Sequence, residues 1–247
     1  MTKTKAMTVG GQNLSQIINE LEKRTKPGVN LLQIESWADQ LIRERGGYPS
    51  FKKVSGYNHA TCLNVNDGLV HGIPNDYILK ESDLLNIDIG FFFRGFHTDT
   101  AKSFVVSNNK KYPEKEKFLI IGRETLKKAI NVCTPGNRIG DITKVIQNEI
   151  ETAKYFPARN YTGHAVGKHL HEKPLIPCWS LLPVEMTDLI FEGQTLAIEI
   201  IYLQNGWQTE VAPDGWSVKA KNGGLAACFE KTIIITNNKP LILTDWE

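Results

Sequence analysis

The chain repeats itself. "TKPGVNLLQI" (Thr25–Ile34) and "CTPGNRIGDI" (Cys133–Ile142) each join one helix to the next, 108 residues apart. The echo continues 111 residues apart, where "LNIDIGFFFRGFHTD" in the first half matches "LAIEIIYLQNGWQTE" in the second. Helix, Pro-Gly turn, helix and carboxylate-bearing hairpin thus occur twice in one order. A repeat on this scale constrains the fold more than composition does, because both copies have to build one supersecondary unit. The expectation is an α+β fold with internal pseudo-two-fold symmetry, both hairpins joining a central antiparallel sheet flanked by helices. The halves run over about 12–107 and 112–236. No linker-like stretch separates them, so 1–247 reads as a single domain.

The helices follow from apolar spacing. Leu14, Ile17, Ile18 and Leu21 share a face, "KPGVN" ends that helix, and Asn30 caps a second carrying Leu31, Ile34, Leu41 and Ile42. A third is predicted over about Glu114–Val132 and a fourth from Ile139 to about Thr152. Later strands are predicted at Thr195–Tyr202 and Ala226–Thr236.

Within the first hairpin, Asp88 and Asp99 interrupt apolar, β-branched and aromatic runs. A buried carboxylate is costly unless something positive compensates it. A two-residue loop at Arg94-Gly95 pairs Phe93 with Phe96, sets Asp88 opposite Ala101, and leaves Asp99 diagonal to Asp88 on the same face. Such neighbours lie about 7–8 Å apart at the backbone. A three-residue loop would put the two acids on opposite faces. Two hydrogen-bonded buried aspartates would also account for the pair by itself. Glu199 in "TLAIEIIY" and Glu230 in "AACFEKTIIIT" break equally apolar runs. Four acids in one core repel each other too strongly to ionise without cations, which argues for metal. Glu210, the repeat counterpart of Asp99, lies in a polar stretch and is left out.

All six histidines fall between His59 and His171. His164 follows a glycine at the start of a Gly-rich turn, where small neighbours leave room for a close approach; His71 precedes a turn in "VHGIP". His59, His97 and His169 read as surface or satisfied core residues. Four carboxylates and an imidazole suit Mn²⁺, Fe²⁺ or Co²⁺, with Zn²⁺ also accommodated. Carboxylates in excess of one ion's needs point to two metals, and the chemistry such sites support is hydrolysis.

Other classes are excluded by composition. Formal net charge is +2 without a basic block, which gives no electrostatic footing for nucleic-acid recognition or a membrane surface. No apolar run reaches about 18 residues, and Met1–Gln12 lacks a secretory core. Cys62, Cys133, Cys178 and Cys228 form no CxxC pair, so they read as free thiols. A soluble cytoplasmic protein is expected.

"VHGIPND", "NIDIG", "GFHTDTAKSF", "GHAVGKHLHEKP", "AIE", "DGWSVKAKNG" and "FEKTIIIT" occur in an order and spacing that resembles the type I methionine aminopeptidases of the pita-bread fold. The match spans about Leu14 to Leu243, with no added zinc finger or polar N-terminal extension. The resemblance implies five metal ligands: Asp88, Asp99, His164, Glu199 and Glu230, with Asp99 and Glu230 shared between two ions. It implies attack by a hydroxide bridging the two ions, proton handling by Glu199, oxyanion stabilisation by His171 and a contact from His71 to the scissile amide. Phe51, Tyr57, Cys62 and Trp216 would border an apolar pocket for methionine, with plain core packing as the alternative for each. The implied substrates are N-terminal methionine peptides and nascent chains, with transient ribosome contact and a monomeric state. The chain departs from the family at Ile200 (commonly proline), Lys231 (often histidine), Ala165 (usually glycine), Val54 (commonly aromatic) and Asn58 (commonly proline). Ala165 is expected to narrow the approach to His164. An X-Pro-type peptidase of the same fold and a non-catalytic binding homologue are the competing readings.

Overall fold

A computed structural model describes residues Met1–Glu247. Four helices form: α1 (Lys3–Arg24), α2 (Leu31–Glu44), α3 (Pro113–Asn131) and α4 (Ile139–Thr152). α3 and α4 lie within a residue of their expected ends, α2 begins directly after its expected cap Asn30, and α1 also takes up the polar N-terminus, beginning at Lys3. Asn30 caps α2 through a capping box, its side chain accepting from the Leu32 N–H while Gln33 Oε1 accepts from the Asn30 N–H.

The strands are β1 (Tyr48–Pro49), β2 (Thr61–Val65), β3 (Gly68–Val70), β4 (Leu84–Phe93), β5 (Phe96–Val105), β6 (Phe156–Pro157), β7 (Thr162–Ala165), β8 (Glu172–Pro177), β9 (Thr195–Leu203), β10 (Thr209–Val211), β11 (Val218–Ala220), β12 (Ala226–Ile234) and β13 (Leu241–Ile242). Ten form one sheet with the path β1-β4-β5-β12-β9-β7-β8, on which β2 also pairs β4, β6 pairs β9 and β13 pairs β12. The remaining three form a small sheet in the order β10-β11-β3. Ile87, Ile89 and Phe91 of β4, Ile198, Ile200 and Tyr202 of β9, and Phe229 of β12 are buried in the main core, on the strand parity opposite to Asp88, Glu199 and Glu230. Gly122 lets α3 come close to the sheet: a Cβ there would lie 2.5 Å from the Phe229 ring and 2.7 Å from that of Tyr202.

The pseudo-symmetry is visible in register. Tyr48 and Pro49 oppose Phe92 and Phe91, and Phe156 and Pro157 oppose Leu203 and Tyr202, at the 108- and 111-residue offsets of the sequence repeat. The seam between the halves, β5 against β12, has only two ladder pairs, Glu230–Ala101 and Lys231–Thr100. Hydroxyls complete it. Thr232 Oγ1 accepts from the Asp99 N–H (2.9 Å) and donates to the Asp99 carbonyl (2.7 Å). Ser103 Oγ does the same for Cys228 (3.1 and 2.9 Å). These two stitches are pseudo-symmetry mates.

The second half departs from the expected copy of the first. The second hairpin does not close on itself, because after β9 the chain leaves the large sheet and forms β10 and β11 beside β3. The strand that pairs β9 along its whole length is β12, with Glu230 directly opposite Glu199. The polar stretch "QNGWQTEVAPDG" lacks the apolar alternation that would hold it in a buried sheet. Glu210 accordingly lies exposed in β10, paired with Lys219 (3.1 Å).

Candidate metal centre

The Arg94-Gly95 turn decides where the first two acids go. Both residues have positive φ (50° and 89°), as a two-residue type I′ hairpin requires. Phe93 therefore pairs with Phe96 and Asp88 with Ala101, which puts Asp88 and Asp99 on one face. Glu199 and Glu230 join them from β9 and β12. His164 arrives on β7, paired with Ala197 of β9 and with Leu175 of β8. It sits inside a strand, not at a turn as expected. The small neighbours serve strand packing: a Cβ on Gly163 would lie 2.6 Å from the Ala197 carbonyl. Ala165 is packed in the core, and its carbonyl lies 3.0 Å from His164 Nδ1, leaving Nε2 to face the acids.

His164 Nε2 lies 3.5 Å from Glu199 Oε1 and 4.0 Å from Asp99 Oδ2. Donor atoms of Asp99, His164 and Glu230 all fall within 4.8 Å of one another. Burial, then mutual repulsion, pushes the Asp88, Glu199 and Glu230 carboxyls well above the usual carboxylate range. Burial raises Asp99 to about 7 and lowers His164 to about 4. Asp88 Oδ1 and Glu230 Oε1 are buried without any hydrogen-bond partner. Orphaned carboxyl oxygens beside an uncharged imidazole nitrogen form an incomplete electrostatic set, and a divalent cation completes it by favouring the ionised acids. The residues fit a metal.

The five donors, His71, His171, Phe51, Tyr57, Cys62 and Trp216 all line one cavity of about 310 Å³. The His171 ring lies 4.6 Å from that of His164, edge to face. His71 holds φ +58°, a strained backbone for a non-glycine residue, and its ring meets Tyr161 at 5.9 Å. Desolvation lowers the pKa of both, with His171 adding to the effect at His71. At the other end Phe51, Tyr57, Cys62 and Leu170 form an apolar cluster separate from the main core, with Trp216 5.1 Å from Tyr57. The Tyr57 hydroxyl donates to the Thr61 carbonyl (2.8 Å) and lies 3.2 Å from Cys62 Sγ.

A model of metallopeptidase family M24 matches residues 5–237. The chain belongs to metallopeptidase family M24. A methionine aminopeptidase of Mycoplasma capricolum is 34% identical over 243 residues, covering 98% of this chain and 95% of that protein. The crystal structure of a methionine aminopeptidase from Thermotoga maritima superposes with TM-score 0.94 at 32% identity, covering 98% and 96% of the two chains. A prolidase from Pyrococcus horikoshii shares the fold at TM-score 0.78 and 21% identity, and this chain spans 62% of it.

Against the family pattern, the departures mostly point away from the centre. Ile200 is buried in the core on the opposite face from Glu199. Lys231 is 3% exposed, yet its Nζ bonds Asp245 Oδ1 (2.7 Å) and lies 4.3 Å from the Trp246 ring, which compensates its charge. Asn58 is exposed and does not line the cavity; Val54 does. His97 is a satisfied core residue, 2.9 Å from Ser50 Oγ, and His59 and His169 stay outside the cavity. Several M24 cavity residues carry no sequence signal of their own. Val70, Asn160, Tyr161, Leu170, Leu175 and Ile201 join the wall only through tertiary packing. Glu35 is also silent in sequence; it accepts from the Ala60 and Thr61 N–H groups (2.6 and 3.0 Å), fixing the start of β2 beneath Cys62. No helix is long and apolar enough to cross a membrane.

Proposed function

We propose that the chain removes N-terminal methionine from peptides and nascent proteins as a metal-dependent aminopeptidase. The observation that carries this is the convergence of the orphaned acids, two uncharged histidines and a separate apolar cluster on one cavity. Asp88, Asp99, His164, Glu199 and Glu230 would hold the metal. Four carboxylates and an imidazole exceed one ion's needs, which supports two ions, Co²⁺, Mn²⁺, Fe²⁺ or Zn²⁺. A divalent ion bound there supplies Lewis acidity and lowers the pKa of water towards neutrality.

The chain's own residues do the rest. The apolar cluster of Phe51, Tyr57, Cys62 and Trp216 takes the methionine side chain, aromatic and sulfur groups being good partners for a thioether. His171, kept uncharged at neutral pH by its depressed pKa, offers an N–H to the oxygen that gains charge. His71, held by its strained backbone at the cavity wall, contacts the scissile amide. Glu199 carries a proton between the attacking water and the leaving amine. The reading extends to a monomeric, cytoplasmic protein that meets the ribosome transiently and recognises no nucleic acid.

Purified protein with Mn²⁺ or Co²⁺ should release methionine from Met-Ala peptides, and Asp99→Ala should release none. Full activity in Asp99→Ala or in strong chelator would overturn the metal reading. A panel varying the first two residues tests the X-Pro alternative, which predicts turnover only with proline second. Bound metal without turnover of any peptide would favour a non-catalytic homologue.

A further inference from the structure

Outside the metal centre, the segment after β8 displays an unusual apolar surface. Leu181, Leu182, Met186, Leu189 and Phe191 are each more than half exposed, from 52% for Leu189 to 67% for Met186. Three of them, Leu181, Leu182 and Met186, line one groove, and exposed apolar side chains gathered in one place mark binding surfaces. The backbone that carries them is anchored. The Ser180 N–H donates to Gln147 Oε1 (3.0 Å), the Gly140 N–H to Thr187 Oγ1 (2.9 Å) and the Ile139 N–H to the Asp188 carbonyl (2.9 Å). The exposure is therefore held in place and is not a loose loop's average.

Between this segment and the first turn of α4 lies a groove of about 170 Å³, lined by Ile139, Thr143, Leu175, Leu182 and Met186 among others. Leu175 also lines the metal cavity, so groove and cavity meet at its half-exposed side chain. Leu175 is the direct cross-strand partner of His164. The groove thus begins beside the metal centre.

Resting on the function proposed above, we infer that this groove receives an apolar side chain of the substrate itself, downstream of the scissile bond. An aminopeptidase holds the chain by its first residue, so the remainder has to leave through the cavity mouth. An extended peptide advances about 3.3 Å per residue with side chains alternating between faces. A chain passing over Leu175 brings its next side chains above the groove. The groove is walled by α4 on one side and the anchored segment on the other, which suits a side chain entering from above better than a flat contact between two copies.

The test is a walk of one leucine through positions three to six of Met-Ala-Ser-Ser-Ser-Ser, with kcat/KM measured for each peptide in the metal-loaded protein. Leucine should exceed serine by about tenfold at one position or two neighbouring ones, the scale of a modest apolar contact. That ratio should fall to near one in Leu182→Ser and in Met186→Ser. Equal rates for all peptides in the unmodified protein, or a preference that survives both substitutions, would overturn the inference while leaving the aminopeptidase reading intact. Turnover of no peptide at all would overturn both. Sedimentation of the same samples showing a dimer that either substitution splits would put a second copy in the groove and refute the proposal.

Discussion

Asp99→Asn should make the metal-free protein more stable, although it removes an inferred metal ligand. Burial raises the Asp99 carboxyl from an ordinary 3.8 to about 7. At 1.36 kcal/mol per tenfold change in proton affinity, an ionised Asp99 costs the metal-free fold about 4 kcal/mol above pH 7. The penalty is absent below the unfolded-state pKa and complete once pH has risen through the folded-state value. At pH 5, closer to the unfolded-state pKa, it has shrunk to well under half of that. Asparagine keeps an Oδ1 for the Thr100 N–H, which Asp99 accepts at 3.1 Å. It still buries a polar group, so a gain of ~2–4 kcal/mol at pH 7.5 is expected, roughly 10 °C in Tm. Urea unfolding in chelator at pH 7.5 and pH 5 reads the difference directly; groups whose surroundings are unchanged cancel, and relief of the repulsion from Asp99 on Asp88, Glu199 and Glu230 adds to the gain at the higher pH. Adding Mn²⁺ should reverse the order, because only the unmodified protein gains binding energy from the ion. A variant no more stable than its parent in chelator at pH 7.5, or an advantage equal at both pH values, would refute the electrostatic account of the site.

The seam makes a paired prediction. Thr232→Val strips the Asp99 N–H and carbonyl of their partners and should cost about 1–3 kcal/mol in urea unfolding. Ser103→Ala should cost less, since the Cys228 carbonyl keeps Asn86 Nδ2 at 2.9 Å, and only the threonine change should weaken metal affinity in a calorimetric titration. Gly122→Ala should destabilise by about 1–3 kcal/mol through overpacking against Phe229 and Tyr202, with activity per folded molecule retained. His171→Ala should lower kcat on Met-Ala peptides about 10²–10³-fold with KM near that of the parent, as expected for a group that acts on developing charge. Trp216→Ala should instead act on KM and reduce the preference for methionine over alanine as first residue; an unchanged preference would remove Trp216 from the pocket.

Local pattern accounts for what was legible in advance. Apolar spacing located α1 to α4 because a helix face repeats every 3.6 residues wherever the helix later packs. The first hairpin was legible for the same reason, and its parity followed from a short Arg94-Gly95 turn. The open second hairpin was not. The repeat predicts a copy of the first, but residues 204–225 divert to a small sheet whose third strand, β3, comes from the other half of the chain. Nothing local encodes that pairing. Nor does it encode the asymmetry of the acids. By cross-strand register Glu230 stands where the first half has Ala101, and Asp99 where the second half has Cys228. The repeat alignment, which ran Asp99 onto Glu210, pointed to the wrong strand.

By itself the sequence determined the chemical inventory and the period of each element: four acids too costly to bury apart, histidines in one stretch, and a unit used twice. These are properties of residue type and spacing, and they survive any arrangement in space. Tertiary structure alone decided which atoms meet. It brought β12 against β9 so that Glu230 faces Glu199, set His164 inside a strand with Nε2 towards the acids, and separated the Phe51–Trp216 cluster from the core. It also left Leu181, Leu182 and Met186 exposed along a groove that meets the cavity at Leu175. Contacts between residues more than a hundred positions apart depend on strand order and register, and these are settled by how the whole chain buries its apolar surface.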